Sequence, residues 1–203
     1  RIIMTACGTS YYAALLGKYI IEEVAGIPVT VELASELRYR KPVLKASDIM
    51  IAVSQSGETA DTLAALRLAK SLGYSASLTI CNVETSSLVR DSDLVYLMKA
   101  GPEIGVASTK AFTVQLSALL LLSKALCEAK SINQEFCAEA AQALHALPGH
   151  VEQAFSLEQS IKSLSDQFAD KNHTLFLGRG DQYPVAMEGA LKLKEISYIH
   201  AEA

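Results

Sequence analysis

The run Ser54-Gln55-Ser56-Gly57-Glu58-Thr59 places three hydroxyls and one side-chain amide between an apolar stretch and a segment of helical period. At the end of a strand in a parallel sheet, such a run faces the crevice where ligands bind. The helix that follows adds unpaired N–H donors and the positive end of its dipole. That is anion-binding chemistry, and a phosphomonoester fits it. The alternative is capping by Ser56 or Thr59 alone, although one cap needs one hydroxyl and three are present. No G-x-x-x-x-G-K-[ST] pattern occurs and no Lys follows Gly57, which disfavours a nucleoside triphosphate with Mg²⁺.

Other junctions carry polar groups of the same kind. Cys7-Gly8-Thr9-Ser10 follows the first apolar run, with hydroxyls on Thr9 and Ser10 that serve either a ligand or a turn and cap. Cys7 has no His in the neighbouring motifs to form a thiolate and reads as packing. The stretch Gly101 to Lys110 precedes the longest apolar helix, with Ser108 or Thr109 as its cap or as ligand contacts. Gly178-Arg179-Gly180-Asp181-Gln182-Tyr183 opens like a dinucleotide fingerprint, but Tyr183 stands where the third glycine belongs. Lys192 and Glu195 lie three apart and share a helix face, with Glu188 nearby. They form either a surface ion pair or an acid-base pair in which burial lifts the Glu195 pKa and Lys192 balances developing charge. His145, His150, His173 and His200 have neither i, i+4 pairing nor nearby Cys, so a metal site is not expected.

These residues need a scaffold, and the chain supplies one by alternating apolar runs of strand length with stretches of helical period. That pattern predicts an α/β fold on a parallel sheet. Strands are predicted at Ile2–Thr5, Val29–Leu33, Ile49–Val53, Ala76–Cys81, Leu94–Met98 and Thr174–Leu177. Helices are predicted at Tyr11–Val24, Thr59–Leu72, Ser108–Lys130, Gln134–Leu147, Val151–Phe168 and Pro184–Ile196, with a break at Pro148-Gly149. The expected organisation is a first subdomain over 1–131, a helical connector over 132–172, and the start of a second subdomain over 173–203.

Half of the 203 residues are hydrophobic and 20% are charged, the composition of an ordered domain with a sizeable core. A net charge of −4 lacks the basic excess that nucleic acid demands. The four cysteines are scattered without C-x-x-C pairing, as in a reducing, cytoplasmic setting. The most apolar stretch, Val114 to Leu126, falls short of the roughly 20 residues that span a bilayer and reads as a buried helix. The chain opens at Arg1-Ile2, already inside an apolar run, and is expected to be a segment of a longer polypeptide.

Taken together, Cys7-Gly8-Thr9-Ser10, Ser54 to Thr59, Gly105-Val106-Ala107-Ser108-Thr109-Lys110 and Leu177 through Glu195 to Ala203 resemble a known family. It is the sugar isomerase (SIS) part of the glutamine–fructose-6-phosphate aminotransferases, or glucosamine-6-phosphate synthases. The resemblance runs through nearly the whole chain. It implies a three-layer αβα sandwich of flavodoxin-like topology, with one SIS subdomain nearly whole and a second begun. It implies conversion of fructose 6-phosphate to glucosamine 6-phosphate with ammonia from an N-terminal glutaminase domain of the same polypeptide. By the same resemblance, Ser54, Gln55, Ser56 and Thr59 hold the sugar phosphate, while Thr9, Ser10 and the loop from Val106 to Ser108 meet the sugar. Glu195 moves the proton between C1 and C2, assisted by Lys192. No metal or organic cofactor is implied, and a cytosolic homodimer is. The family's ring-opening His and Schiff-base Lys belong downstream of Ala203, so the segment alone is not expected to complete the reaction. The rival readings are a non-catalytic SIS module that senses a phosphosugar, and a dimerisation scaffold built on the apolar helix from Ser108 to Lys130.

Overall fold

The structure, a computed structural model, describes residues 1–43 and 45–203. Five strands form its main sheet: β1 (Ile2–Ala6), β2 (Val29–Leu33), β3 (Ile49–Ser54), β4 (Ala76–Cys81) and β5 (Leu94–Leu97). All pairings are parallel, in the order β2-β1-β3-β4-β5, with Ile2 opposite both Val29 and Ile49. Every residue of β1 is buried, as a strand covered on both faces requires.

Period-two alternation divides the core between two layers of helix. Ile2, Met4, Ala6, Ile51, Val53 and Ile80 pack beneath α1 (Gly8–Ala25) and α5 (Lys110–Ala129). Ile3, Met50 and Ala52 point the other way, against α2 (Ala34–Leu37), α3 (Ala60–Leu72) and Leu88 of α4 (Ser87–Asp91). The result is the αβα sandwich. On the first face α1 and α5 approach closely because Gly17 has no side chain; a Cβ there would meet Leu119 Cδ1 at 3.0 Å.

α5 is longer than the apolar stretch that marks it. Its 20 residues, with mean hydropathy 1.4 over its most apolar window, reach membrane-spanning length. It packs as a core helix, burying Ala111, Gln115, Ala118, Leu119, Ser123 and Cys127 at helical spacing.

Beyond it the expected break at Pro148-Gly149 does not occur. α6 runs without interruption from Gln134 to Phe155, and the chain turns at Ser156 and Leu157 into α7 (Glu158–Ser165) and a short 3₁₀ turn. Pro148 is exposed, so water can take the carbonyl that its missing N–H leaves unpaired. The last segment pairs β6 (His173–Leu175) with β7 (His200–Glu202), parallel, across α8 (Gln182–Ser197). β6 is shorter than the predicted strand at 174–177, and β7, α2 and α4 were not anticipated; all are short elements with little periodicity to read.

Candidate functional site

In this strand order the chain leaves β1 toward one edge and β3 toward the other, so the carboxyl ends of these two neighbours flank a topological switch point. A cleft of about 250 Å³ opens there. It is lined by Thr9 and Ser10 after β1, by Ser54, Gln55, Ser56 and Thr59 after β3, by Val106 and Ser108 before α5, and by Lys192 and Glu195 from α8. All the candidate residues thus share one cavity, with Cys7, Thr62 and Glu103 beside them.

The loop after β3 is organised by its own hydroxyls. Ser54 Oγ accepts the Gly57 N–H at 3.0 Å and Ser56 Oγ accepts the Glu58 N–H at 3.2 Å, so each keeps its proton to donate. Gly57 has φ +66°, and a Cβ there would lie 2.1 Å from Ser86 Oγ and 2.7 Å from Cys81 Sγ. Only glycine lets the loop fold this tightly against β4. Glu58 is turned away from the cleft: its Oε1 accepts the Ser87 N–H at the start of α4 (2.7 Å), and this bond holds its carboxyl below the usual range. The one acid in the loop is therefore kept out of the lining of the cleft. Thr59 precedes α3 without making a capping bond, so the first-turn N–H groups stay available. Capping alone does not explain these hydroxyls.

Thr9 and Ser10 play opposite parts. Ser10 Oγ accepts from Gln115 Nε2 at 2.8 Å and can still donate, whereas Thr9 Oγ1 donates to Glu188 Oε1 at 2.9 Å and presents lone pairs. Neither Ser108 nor Thr109 caps α5; Glu103 Oε2 does, accepting the Ala111 N–H at 3.1 Å. Ser108 Oγ is left buried beside the cleft without a partner among the described residues. Val106 stands fully exposed on the rim. Cys7 lies at the cleft wall and packs against the core on the α3 side.

On α8, Lys192 Nζ donates to Glu195 Oε2 at 2.6 Å and stands 3.6 Å from Glu188 Oε1. The burial expected of Glu195 falls on Glu188 instead. Glu195 has a side chain 40% exposed, but Glu188 is buried with Oε2 unpartnered. Burial pushes the Glu188 carboxyl upward, while the Thr9 hydrogen bond and Lys192 act against it. Glu188 was the missed member of the group. The signal was the spacing 188, 192, 195, which places all three on one helical face.

The turn from Gly178 to Gly180 is packed against its own helix: a Cβ at Gly178 would meet the Gln182 carbonyl at 2.4 Å. It serves as the tight entry to α8. Among the described residues, no group of three or more His, Cys, Asp or Glu could hold a metal ion.

A parallel five-stranded sheet with a hydroxyl-lined cleft at its switch point defines a flavodoxin-like α/β domain built to hold a small ligand. Within that class the chain belongs to the SIS domain family, which it matches over residues 1–125 and 167–203. It is 60% identical over 203 residues to a Shewanella oneidensis protein named isomerizing glutamine–fructose-6-phosphate aminotransferase. It is 57% identical to the Escherichia coli K12 protein of that name. Each alignment covers the whole chain and 33% of the relative, so the chain spans about a third of the length of the curated relatives it matches. Among solved structures, the C-terminal domain of glucosamine-fructose-6-phosphate aminotransferase from Francisella tularensis superposes with TM-score 0.97 at 51% identity. That match covers 100% of this chain and 57% of that one. The family resemblance carried by the motifs is thereby shown.

Proposed function

We propose that this chain is the sugar isomerase portion of an enzyme that makes glucosamine 6-phosphate from fructose 6-phosphate and ammonia taken from glutamine. The observation that carries this reading is the meeting of two chemistries in one cleft. A hydroxyl-rich loop at the start of α3 lies across from the Lys192–Glu195 pair on α8. The relatives named above bear that activity in their names.

In this mechanism, the donors of Ser54, Ser56 and Thr59, the Gln55 side chain and the free N–H groups of α3 hold the dianionic phosphate without a cation of their own. Ser10, Ser108 and the Thr9 lone pairs meet the sugar hydroxyls, and Val106 borders them. Ammonia replaces the C2 carbonyl oxygen, which leaves as water. Glu195 takes the proton from C1 of the resulting imine and returns it at C2, and Lys192 balances charge at the C1 oxygen as it gives up its proton. A glutaminase domain in the same polypeptide, a homodimeric assembly and a cytoplasmic setting complete the proposal.

The full-length protein that carries this chain should form glucosamine 6-phosphate from fructose 6-phosphate and glutamine. Its Glu195→Gln variant should bind the sugar phosphate normally and lose most turnover, because an amide cannot accept the proton. Undiminished turnover in that variant would remove Glu195 from the role, and no product from the wild type would end the proposal.

A further inference from the structure

Two histidines that sequence spacing keeps apart meet at the start of the β6–β7 pair. His173 and His200 are direct partners in the parallel register, and their Nδ1 atoms lie 3.3 Å apart. Two nitrogens bound at about 2.05 Å to one tetrahedral Zn²⁺ are separated by about 3.3 Å. The distance between the rings therefore matches that of two ligands on a single ion. The other nitrogen of His200, Nε2, stands 3.4 Å from Glu202 Oε1, two residues along the same strand. A carboxylate on that side of the ring is placed to attract a proton on Nε2, the tautomer that leaves Nδ1 with its lone pair. A carboxylate behind a ring nitrogen is also how metal-bound imidazoles are usually oriented. None of the three residues lines the cleft, and the rings are exposed.

We propose that His173 and His200 form a surface site for a borderline divalent cation, Zn²⁺ in the first instance. The two Nδ1 atoms bind it, waters complete its shell, and Glu202 orients His200. Imidazole nitrogens suit Zn²⁺, Ni²⁺ and Cu²⁺ better than Mg²⁺ or Ca²⁺. A bound ion would tie β6 to β7 directly through the first residue pair of their ladder. The competing account of the same geometry is a hydrogen bond between two neutral rings, with no affinity for metal.

The test is a Zn²⁺ titration of the chelator-stripped full-length protein against a competing zinc dye, beside His173→Gln, His200→Gln and Glu202→Gln. The wild type should bind one equivalent per chain that either histidine variant lacks or binds at least tenfold more weakly. Glu202→Gln should weaken that equivalent roughly 10- to 100-fold. Circular dichroism of each variant controls for folding. Failure of the wild type to take up the equivalent, or its undiminished retention in both histidine variants, overturns the proposal.

Discussion

The Thr9 hydroxyl donates to Glu188 Oε1 at 2.9 Å, joining positions 179 residues apart in the chain. This bond pins α8 to the start of α1 and brings Lys192 and Glu195 over the switch point of the sheet. It also buries a carboxyl whose second oxygen finds no partner among the described residues.

That burial has a pH signature. Glu188 has a folded-state pKa above its ordinary value of 4.5, chiefly through desolvation. The folded state then holds more protons than the unfolded one, so this group costs stability as pH climbs from the unfolded value through the folded one. Glu188→Gln keeps an acceptor for Thr9 and removes the ionisation. The melting temperature of the variant should therefore rise relative to wild type as the pH is raised above about 4.5. A difference that stays flat, or runs the other way, would mean that Thr9 and Lys192 offset the desolvation.

Ser56→Ala removes a hydroxyl assigned to the phosphate. A hydrogen bond to a charged group contributes about 1.5–3 kcal/mol, so fructose 6-phosphate should bind roughly ten- to a hundredfold more weakly by titration calorimetry. Equal affinities would place the phosphate elsewhere.

Gly57→Ala should damage both the loop and the fold. Its Cβ would fall 2.5 Å from Ser86 Cβ, and the residue sits in the left-handed region. Overpacking of this kind costs about 1–3 kcal/mol and the backbone conformation adds about 1 more. Urea denaturation should show the combined loss. Adding Ser86→Gly should recover the crowding against Ser86 and leave the contact with Cys81 Sγ and the backbone part.

The contact of α1 with α5 predicts that two substitutions do not add. Leu119 is fully buried, and Leu119→Ala should cost about 2–5 kcal/mol. Gly17→Ala alone should destabilise by crowding Leu119. In the Leu119→Ala background only the Cβ contact at 3.3 Å remains, so the same change should cost less or stabilise, since alanine is about 1 kcal/mol better than glycine in a helix. Additive free energies in this double-mutant cycle would show that the two side chains do not meet.

Much of the scaffold was legible locally. β2 and β4 coincide with the strands read from Val29–Leu33 and Ala76–Cys81, because both are short runs rich in β-branched and apolar residues, which suit a strand. The misreadings share a cause. Pro148 was expected to end a helix, yet its position on an exposed face, where water replaces the lost bond, let the helix continue. Ser108 or Thr109 could be read either as the cap of α5 or as a ligand contact, and the cap is supplied instead by Glu103 from eight residues away. In each case the outcome depended on surroundings that flanking residues do not specify.

Residue order alone determined the alternation of strands and helices, the hydroxyl loop at a helix start and the shared face of Lys192 and Glu195, since each follows from dihedral preferences and spacing within a few residues. The tertiary structure decided which groups meet. The order β2-β1-β3 set two loops side by side, α8 packed on α1 to bury Glu188 rather than Glu195, and strand register brought His173 to His200. Such encounters depend on how layers stack and which surfaces lose water, quantities that arise only when distant segments close upon one another.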